Sequence, residues 1–183
     1  MPKNRLREII KKKLDSQSEE ERQRKSEKIA LKLYALKEFT KAGVVMFFVS
    51  KDGEVQTRQM ICEAQALGKK IVIPHINRKE NKMLACQLKD MDTELCKGPY
   101  GIHQVREDCK QTVGLKSIDL IIVPGIAFNK SGQRLGRGGG YFDRFLRGLS
   151  KKTFRVGLAF DFQIVQEIPS FSHDEPVDLV ISA

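Results

Sequence analysis

A chain of 183 residues has room for one substantial core and too little for two, so one domain spanning residues 1–183 is expected. Apolar residues at 40%, charged residues at 31%, 14 Gly and 6 Pro exclude both a disordered and a fibrous chain. The net charge of +10 calls for an anionic partner, which can be nucleic acid, a phosphorylated cofactor or a polyanionic small molecule.

The N-terminus enters mixed charge at once, with Pro2-Lys3-Asn4-Arg5-Leu6-Arg7 and no apolar stretch behind it. No secretory signal is therefore expected, and Glu8, Asp15 and Glu19-Glu20-Glu21 speak against a transit peptide. Leu6, Ile9, Ile10 and Leu14 recur at helical spacing. Ser18-Glu19-Glu20-Glu21 reads as a capping box that opens a second helix with Ile29, Leu33 and Leu36. The apolar run Val44 to Val49 is short and β-branched, which predicts a buried strand and falls far below the roughly 20 residues of a membrane span, so no membrane partner is expected. Thr57 is placed to cap a helix through Leu67 that Gly68 ends, and Lys70 to Pro74 is a second strand. Met83 to Leu88 is a weaker strand candidate, and residues 89–116 read as loop. Ile118 to Val123 is the clearest strand. A Gly-rich segment, a helix over Tyr141 to Leu149, and strands at Arg155 to Phe160 and Val177 to Ile181 complete the chain. Strands alternating with helices predict an α/β fold, a three-layer α/β/α sandwich around a mostly parallel central sheet.

Cys62, Cys86, Cys96 and Cys109 form no CxxC pair, so free thiols in a reducing cytoplasm are expected rather than zinc or disulfides. The positive charge is uneven. Residues 1–41 carry +6, residues 130–155 carry +7, and the remainder sums to −3.

The chemistry gathers in Pro124 to Arg144. Gly136-Arg137-Gly138-Gly139-Gly140 has four glycines in five positions between a strand and a helix. Such a run lets backbone N–H groups and a helix N-terminus converge on an anion. Arg134 and Arg137 offer forks for oxygen, and Asp143 in the first helical turn can hold a hard cation. This is a phosphate-binding design, although it is neither a P-loop nor GxGxxG, since Tyr141 occupies the final glycine position. A basic flexible loop without a ligand is the plain alternative. No Ser/His/Asp or Cys/His set is recognisable, and His75, His103 and His173 read as surface or hydrogen-bonding residues.

Arg134-Leu135-Gly136-Arg137-Gly138-Gly139-Gly140-Tyr141-Phe142-Asp143 resembles the signature of the 5-formyltetrahydrofolate cyclo-ligase family, also called methenyltetrahydrofolate synthetase. Lys3 to Arg7, Gly53 to Thr57, Gly98 to Ile102, Phe160 to Gln163 and His173 to Asp178 agree with it in order and spacing, nearly from end to end. Two departures are Phe142, where the family often has a second Tyr, and Gly139, where it often has Lys. The resemblance implies a cytoplasmic, monomeric ligase whose partners are ATP and a reduced folate, with Mg²⁺ as cofactor and no nucleic acid. It implies that Lys3, Asn4, Arg5, Leu6 and Arg7, with Arg134, Leu135, Gly136, Arg137, Gly138, Gly139, Gly140, Tyr141 and Phe142, contact ATP. Arg7, Val49, Glu54, Arg137, Gly138, Gly139, Gly140 and Tyr141 would border the folate, Arg137 and Tyr141 would act in catalysis, and Asp143 and Asp174 would bind the metal. Each position also has a plainer reading. Lys3 and Arg7 can be a solvated helix face, Val49 core, Glu54 part of a turn and Asp174 a turn cap beside Pro176. A nucleic-acid-binding module and a related enzyme with another substrate are the rival classes, the former without any RNP-type, KH-type or zinc pattern in support.

Overall fold

The computed structural model describes residues 2–51 and 53–183. Helices α1 (Lys3–Asp15), α2 (Glu19–Tyr34) and α3 (Lys37–Lys41) lead into strand β1 (Val44–Met46), helix α4 (Arg58–Ala66) and the antiparallel pair β2 (Lys70–Asn77) and β3 (Lys82–Leu88). The short pieces α5 (Met91–Glu94), β4 (Leu95–Lys97) and β5 (His103–Val105) occupy the stretch expected to be loop. Then come β6 (Leu120–Val123), a small hairpin β7 (Ala127–Phe128) and β8 (Arg134–Leu135), helix α6 (Tyr141–Arg147), β9 (Phe154–Ala159) and β10 (Leu179–Ser182).

Six strands form one sheet in the order β10-β9-β6-β1-β2-β3, parallel except for β3 against β2. Side chains alternate between its two faces. Val45, Ile71, Ile73, Leu120, Ile122, Val156 and Leu158 pack with Leu6, Ile10, Ile29, Leu33 and Ile61 of α1, α2 and α4. Met46, Val72, Ile121 and Val123 pack with Phe145 and Leu146 of α6. A sheet buried on both faces explains the near-continuous apolar runs in its strands. The layers are unequal, with one long helical face and one short one. On α1, Leu6, Ile10 and Leu14 are buried while Ile9 is exposed. Burying each such side chain contributes about 1.5–3 kcal/mol. Among the described residues no helix is long and apolar enough to cross a membrane.

Several boundaries differ from the sequence reading for reasons visible in the hydrogen bonds. The ladder of β1 ends at Met46, after which Phe47 N–H donates to Val72 O at 2.8 Å and the chain turns away. Thr57 does not cap α4; its hydroxyl donates to Phe48 O at 2.7 Å and accepts from Ser50 N–H at 2.9 Å, fastening the turn after β1. β2 runs past Pro74 to Asn77 because β1 has already ended opposite Val72, so no strand needs the missing N–H. At Ser18 only half of the capping box forms: Ser18 Oγ accepts from Glu21 N–H, while the Glu21 carboxylate pairs with Lys25. Helix α6 stops at Arg147, where Gly148 and Leu149 close a tighter turn onto Phe145 O and Leu146 O. Val177 stays out of β10 because its N–H donates to Gly132 O at 2.9 Å.

Candidate active site

In a parallel sheet, a crevice opens where successive connections leave in opposite directions, at the carboxyl ends of two neighbouring strands. Here those strands are β1, which continues to β2 on one side, and β6, which continues to β9 on the other. A cleft of about 710 Å³ lies there, and Phe48 and Val49 beyond β1 and Pro124 and Gly125 beyond β6 form part of its wall. Val49 is buried and belongs to both core and cleft.

Helix α1 supplies a second wall with Lys3, Asn4 and Arg7. Their spacing places them on one helical face. Arg5 and Leu6, expected beside them, fall outside the cleft: Arg5 is exposed to solvent and Leu6 is core, because the helical rotation carries both off that face. Arg7 Nε donates to Gly136 O at 2.9 Å and its Nη1 to Asn4 Oδ1 at 2.7 Å, tying the helix to the glycine run.

That run, Gly136 to Gly140, lines the cleft together with Arg134, Leu135, Arg137, Tyr141, Phe142 and Asp143. Gly138 at φ +108° and Gly140 at φ +65° adopt backbone that L-residues with a side chain rarely visit. The loop is anchored on both sides. Arg134 and Leu135 are fixed in β8, and Gln163 Nε2 donates to Gly125 O and Ile126 O at 3.1 and 3.0 Å, steadying the turn before β7. At seven residues α6 adds little dipole, so anion binding falls to the loop amides and the cationic side chains.

Ion pairs cross the cleft. Arg137 Nη2 meets Glu54 Oε1 at 2.5 Å, Lys3 Nζ meets Asp174 Oδ2 at 2.6 Å and Arg134 Nη2 meets Asp143 Oδ1 at 2.5 Å. The two arginines expected to act alike therefore differ. Arg134 has only 3% of its side chain exposed and is occupied by Asp143, whereas Arg137 is 52% exposed. Burial pulls the Arg134 guanidinium below its usual range, with Asp143, Asp174 and Glu175 opposing the shift, and its Nε has no hydrogen-bond partner among the described residues. Burial pushes the Asp174 carboxyl up, but hydrogen bonds from Lys3 and Phe171 N–H outweigh it and leave it below the usual carboxylate range.

The fold also brings in residues to which the sequence reading assigned no role. Lys51 donates to Tyr100 O, and burial together with nearby Arg137 lowers its hold on its proton. Tyr100 and Tyr141 lie with ring centroids 6.0 Å apart, and the interaction between their hydroxyls pushes Tyr141 up and Tyr100 down. Phe171 and His173 stack at 5.5 Å on the rim. Tyr100 lies within Gly98 to Ile102 and His173 opens His173 to Asp178, so the sequence carries a signal at both but no spatial neighbour to interpret it. The buried His75 instead contacts Val105 O at 3.2 Å and Glu107 at 3.4 Å.

A model of the 5-formyltetrahydrofolate cyclo-ligase family matches residues 1–183. The chain is 35% identical to the 5-formyltetrahydrofolate cyclo-ligase of Mus musculus, over 98% of this chain and 92% of the mouse protein. Against the same-named protein of Escherichia coli it is 30% identical, over 89% and 90% respectively. The solved structure of Aquifex aeolicus 5,10-methenyltetrahydrofolate synthetase is similar with a TM-score of 0.86 at 34% identity, covering 100% of this chain and 90% of that one. A Mycoplasma pneumoniae 5,10-methenyltetrahydrofolate synthetase, with a TM-score of 0.81 at 24% identity, covers 99% and 98% and has the same fold.

Proposed function

The chain belongs to the 5-formyltetrahydrofolate cyclo-ligase family, and from that premise we propose that it converts 5-formyltetrahydrofolate to 5,10-methenyltetrahydrofolate at the expense of ATP, releasing ADP and phosphate. The observation that carries this reading is that Lys3, Asn4, Arg7, Val49, Glu54, Asp174 and the whole of Arg134 to Asp143, from four separate stretches of chain, line one cleft of about 710 Å³. That volume lies within the range of small-molecule sites.

An amide oxygen is a poor leaving group, so the formyl oxygen first attacks the γ-phosphorus of ATP and ADP departs. N10 then attacks the formyl carbon, phosphate leaves with the former formyl oxygen, and the N10 proton passes to solvent. Phosphoryl transfer asks the protein for position and positive charge more than for a nucleophile. The glycine-run amides and Arg7 hold the phosphates, while Arg137, the exposed guanidinium on the cleft wall, meets the charge that develops on the transferring group. Tyr141, beside Tyr100, orients the reacting folate edge, and Val49 and Glu54 border the folate ring from β1's side.

The donor set suits a hard cation such as Mg²⁺. Asp143 and Asp174 are partly buried carboxylates on the cleft wall, 19% and 18% exposed. Among the described residues no three His, Cys, Asp or Glu side chains cluster as a complete cage, so the remaining ligands would be phosphate oxygens and water. Held by these two carboxylates, a cation would supply neutralising charge to the triphosphate. We further propose that the activity belongs to one domain spanning residues 1–183 acting as a monomer, a reading supported by a cleft lined from four stretches of a single chain. The four free cysteines suit a reducing compartment such as the cytoplasm.

Incubating the purified protein with 5-formyltetrahydrofolate and Mg-ATP, and following the near-ultraviolet absorbance of the methenyl product, tests the reading. Product should appear only with both ATP and a divalent cation; turnover persisting in excess EDTA would remove the metal from it. A protein that binds Mg-ATP yet leaves this folate unchanged would point to another substrate.

A further inference from the structure

Two carboxylates face the proposed cation position, and each is held by a different kind of partner. Asp143 is bound to Arg134, whose guanidinium is only 3% exposed and is planted in β8. That cation has nowhere to go. Asp174 is bound to Lys3, at the first turn of α1, with side chains 15% and 18% exposed. The same Asp174 oxygen, Oδ2, accepts from Lys3 Nζ at 2.6 Å and from Phe171 N–H at 2.8 Å, and the Lys3 ammonium also lies 4.2 Å from the Phe171 ring centroid. On Oδ1 the nearest ring nitrogen among the described residues is His173 Nε2, at 3.9 Å. Glu175, close by, is held by Arg147 and Arg155. While Arg134 and Lys3 are both in place, the two carboxylates offer no net negative charge to a metal. Departure of Lys3 restores it.

We propose that Lys3 is a built-in counter-ion of Asp174, holding the carboxylate until nucleotide binds and then passing to the polyphosphate as the divalent cation takes its place. This rests on Asp174 as a metal ligand and Lys3 as an ATP contact, as read above. An ammonium at 2.6 Å from Oδ2 and a divalent cation on the same carboxylate repel one another, so one displaces the other. The lysine stem is flexible and its head is a compact point charge, which suits transfer between two acceptors; a planted guanidinium does not. Lys3 also shares its helical face with Asn4 and Arg7, so release from Asp174 leaves it beside the glycine run. Metal and nucleotide binding are then coupled, each favouring the state the other needs.

The test is Mn²⁺ binding to the full chain without nucleotide, followed by loss of the free-ion electron paramagnetic resonance signal. Lys3→Met, which keeps the stem against Phe171 but removes the charge, should bind Mn²⁺ about tenfold more tightly than the parent, the scale of removing one competing cation from a half-buried carboxylate. In an Asp174→Asn background the same substitution should change nothing. Affinity for metal-free ATP should fall in Lys3→Met, so that the two ligands move in opposite directions; a variant that had merely loosened α1 would lose both. Unchanged or weaker Mn²⁺ binding in Lys3→Met overturns the proposal while leaving Asp174 as a metal ligand. An Asp174→Asn protein that binds Mn²⁺ as the parent does removes the metal assignment itself.

Discussion

Arg137 and Arg134 are three positions apart, yet their surroundings give them different work. Arg137 is half exposed on the cleft wall and paired with Glu54, so a polyphosphate can draw it away, and in the proposed reaction its contact would be with charge that rearranges during transfer. Arg137→Ala should lower kcat by roughly 10² or more, with a smaller loss of ATP affinity, and Arg137→Lys should recover only part of it because a point charge cannot reproduce a planar fork. Steady-state kinetics at saturating Mg-ATP decide this: near-normal kcat with a raised KM would make Arg137 a ground-state binding residue. On the proposed reading Asp143 has two duties, since it neutralises the buried Arg134 and would also face the cation. Asp143→Asn should therefore raise the Mg²⁺ concentration needed for half-maximal activity and also cost about 3–5 kcal/mol of stability, the scale for breaking a buried pair. A urea titration beside the Mg²⁺ titration separates the two, and an unaltered unfolding midpoint would show that Arg134 does not depend on Asp143.

At the scale of elements, the glycine run is only as ordered as the segments that hold it. Gln163 is buried, and its amide satisfies Gly125 O, Ile126 O and Phe160 N–H at once. Gln163→Leu leaves those groups unpaired and should cost about 1–3 kcal/mol, with kcat/KM falling because the entry to the loop relaxes. Retained catalytic efficiency in a folded Gln163→Leu protein would show that the turn is held by other contacts. The interiors of the helices and strands were legible from periodicity because apolar spacing is a local property. Their ends were not. Thr57 has the composition of a cap but bonds to Phe48 O, and Val177 has the composition of a strand but bonds to Gly132 O, in each case because a partner distant in the chain competes for the group. The stretch 89–116 was unreadable for a related reason: β4 and β5 are three residues each and pair mainly with one another, too short for a period to show.

For the molecule as a whole, stability should depend on pH at both ends. Asp174 is held below the usual carboxylate range: burial pushes it up, and the hydrogen bonds from Lys3 and Phe171 N–H outweigh that. Its contribution is complete above the unfolded value near pH 4 and is lost as pH falls below that. Burial pushes the Cys86 thiol up to about 11, so its contribution is complete below about pH 8.5 and is lost as pH rises from there toward 11. Urea midpoints between pH 3 and 10.5 should describe a plateau with two falling edges, and Cys86→Ala should flatten the alkaline one. An alkaline edge unchanged in that variant would assign it elsewhere. Mg-ATP should raise the melting temperature, by the equivalent of about 2.7 kcal/mol at a hundredfold excess over its Kd. Tight, salt-sensitive nucleic-acid binding with no ATP effect would reverse the functional ranking.

The α/β class, the order of the main elements and the glycine run with its flanking arginines all followed from the sequence, because apolar period and loop chemistry are written over a few neighbouring residues. The motif resemblance extended that to the family, which relatives covering the whole chain then showed. What only the tertiary structure decided is which of these residues meet. Opposite crossovers from β1 and β6 open the cleft, helical rotation admits Lys3, Asn4 and Arg7 but turns Arg5 and Leu6 away, and folding pairs Arg137 with Glu54 across 83 positions and Lys3 with Asp174 across 171. No local pattern encodes such pairs, since each partner's spacing to its own neighbours is ordinary and the contact exists only once the fold has brought distant segments together at the carboxyl ends of β1 and β6.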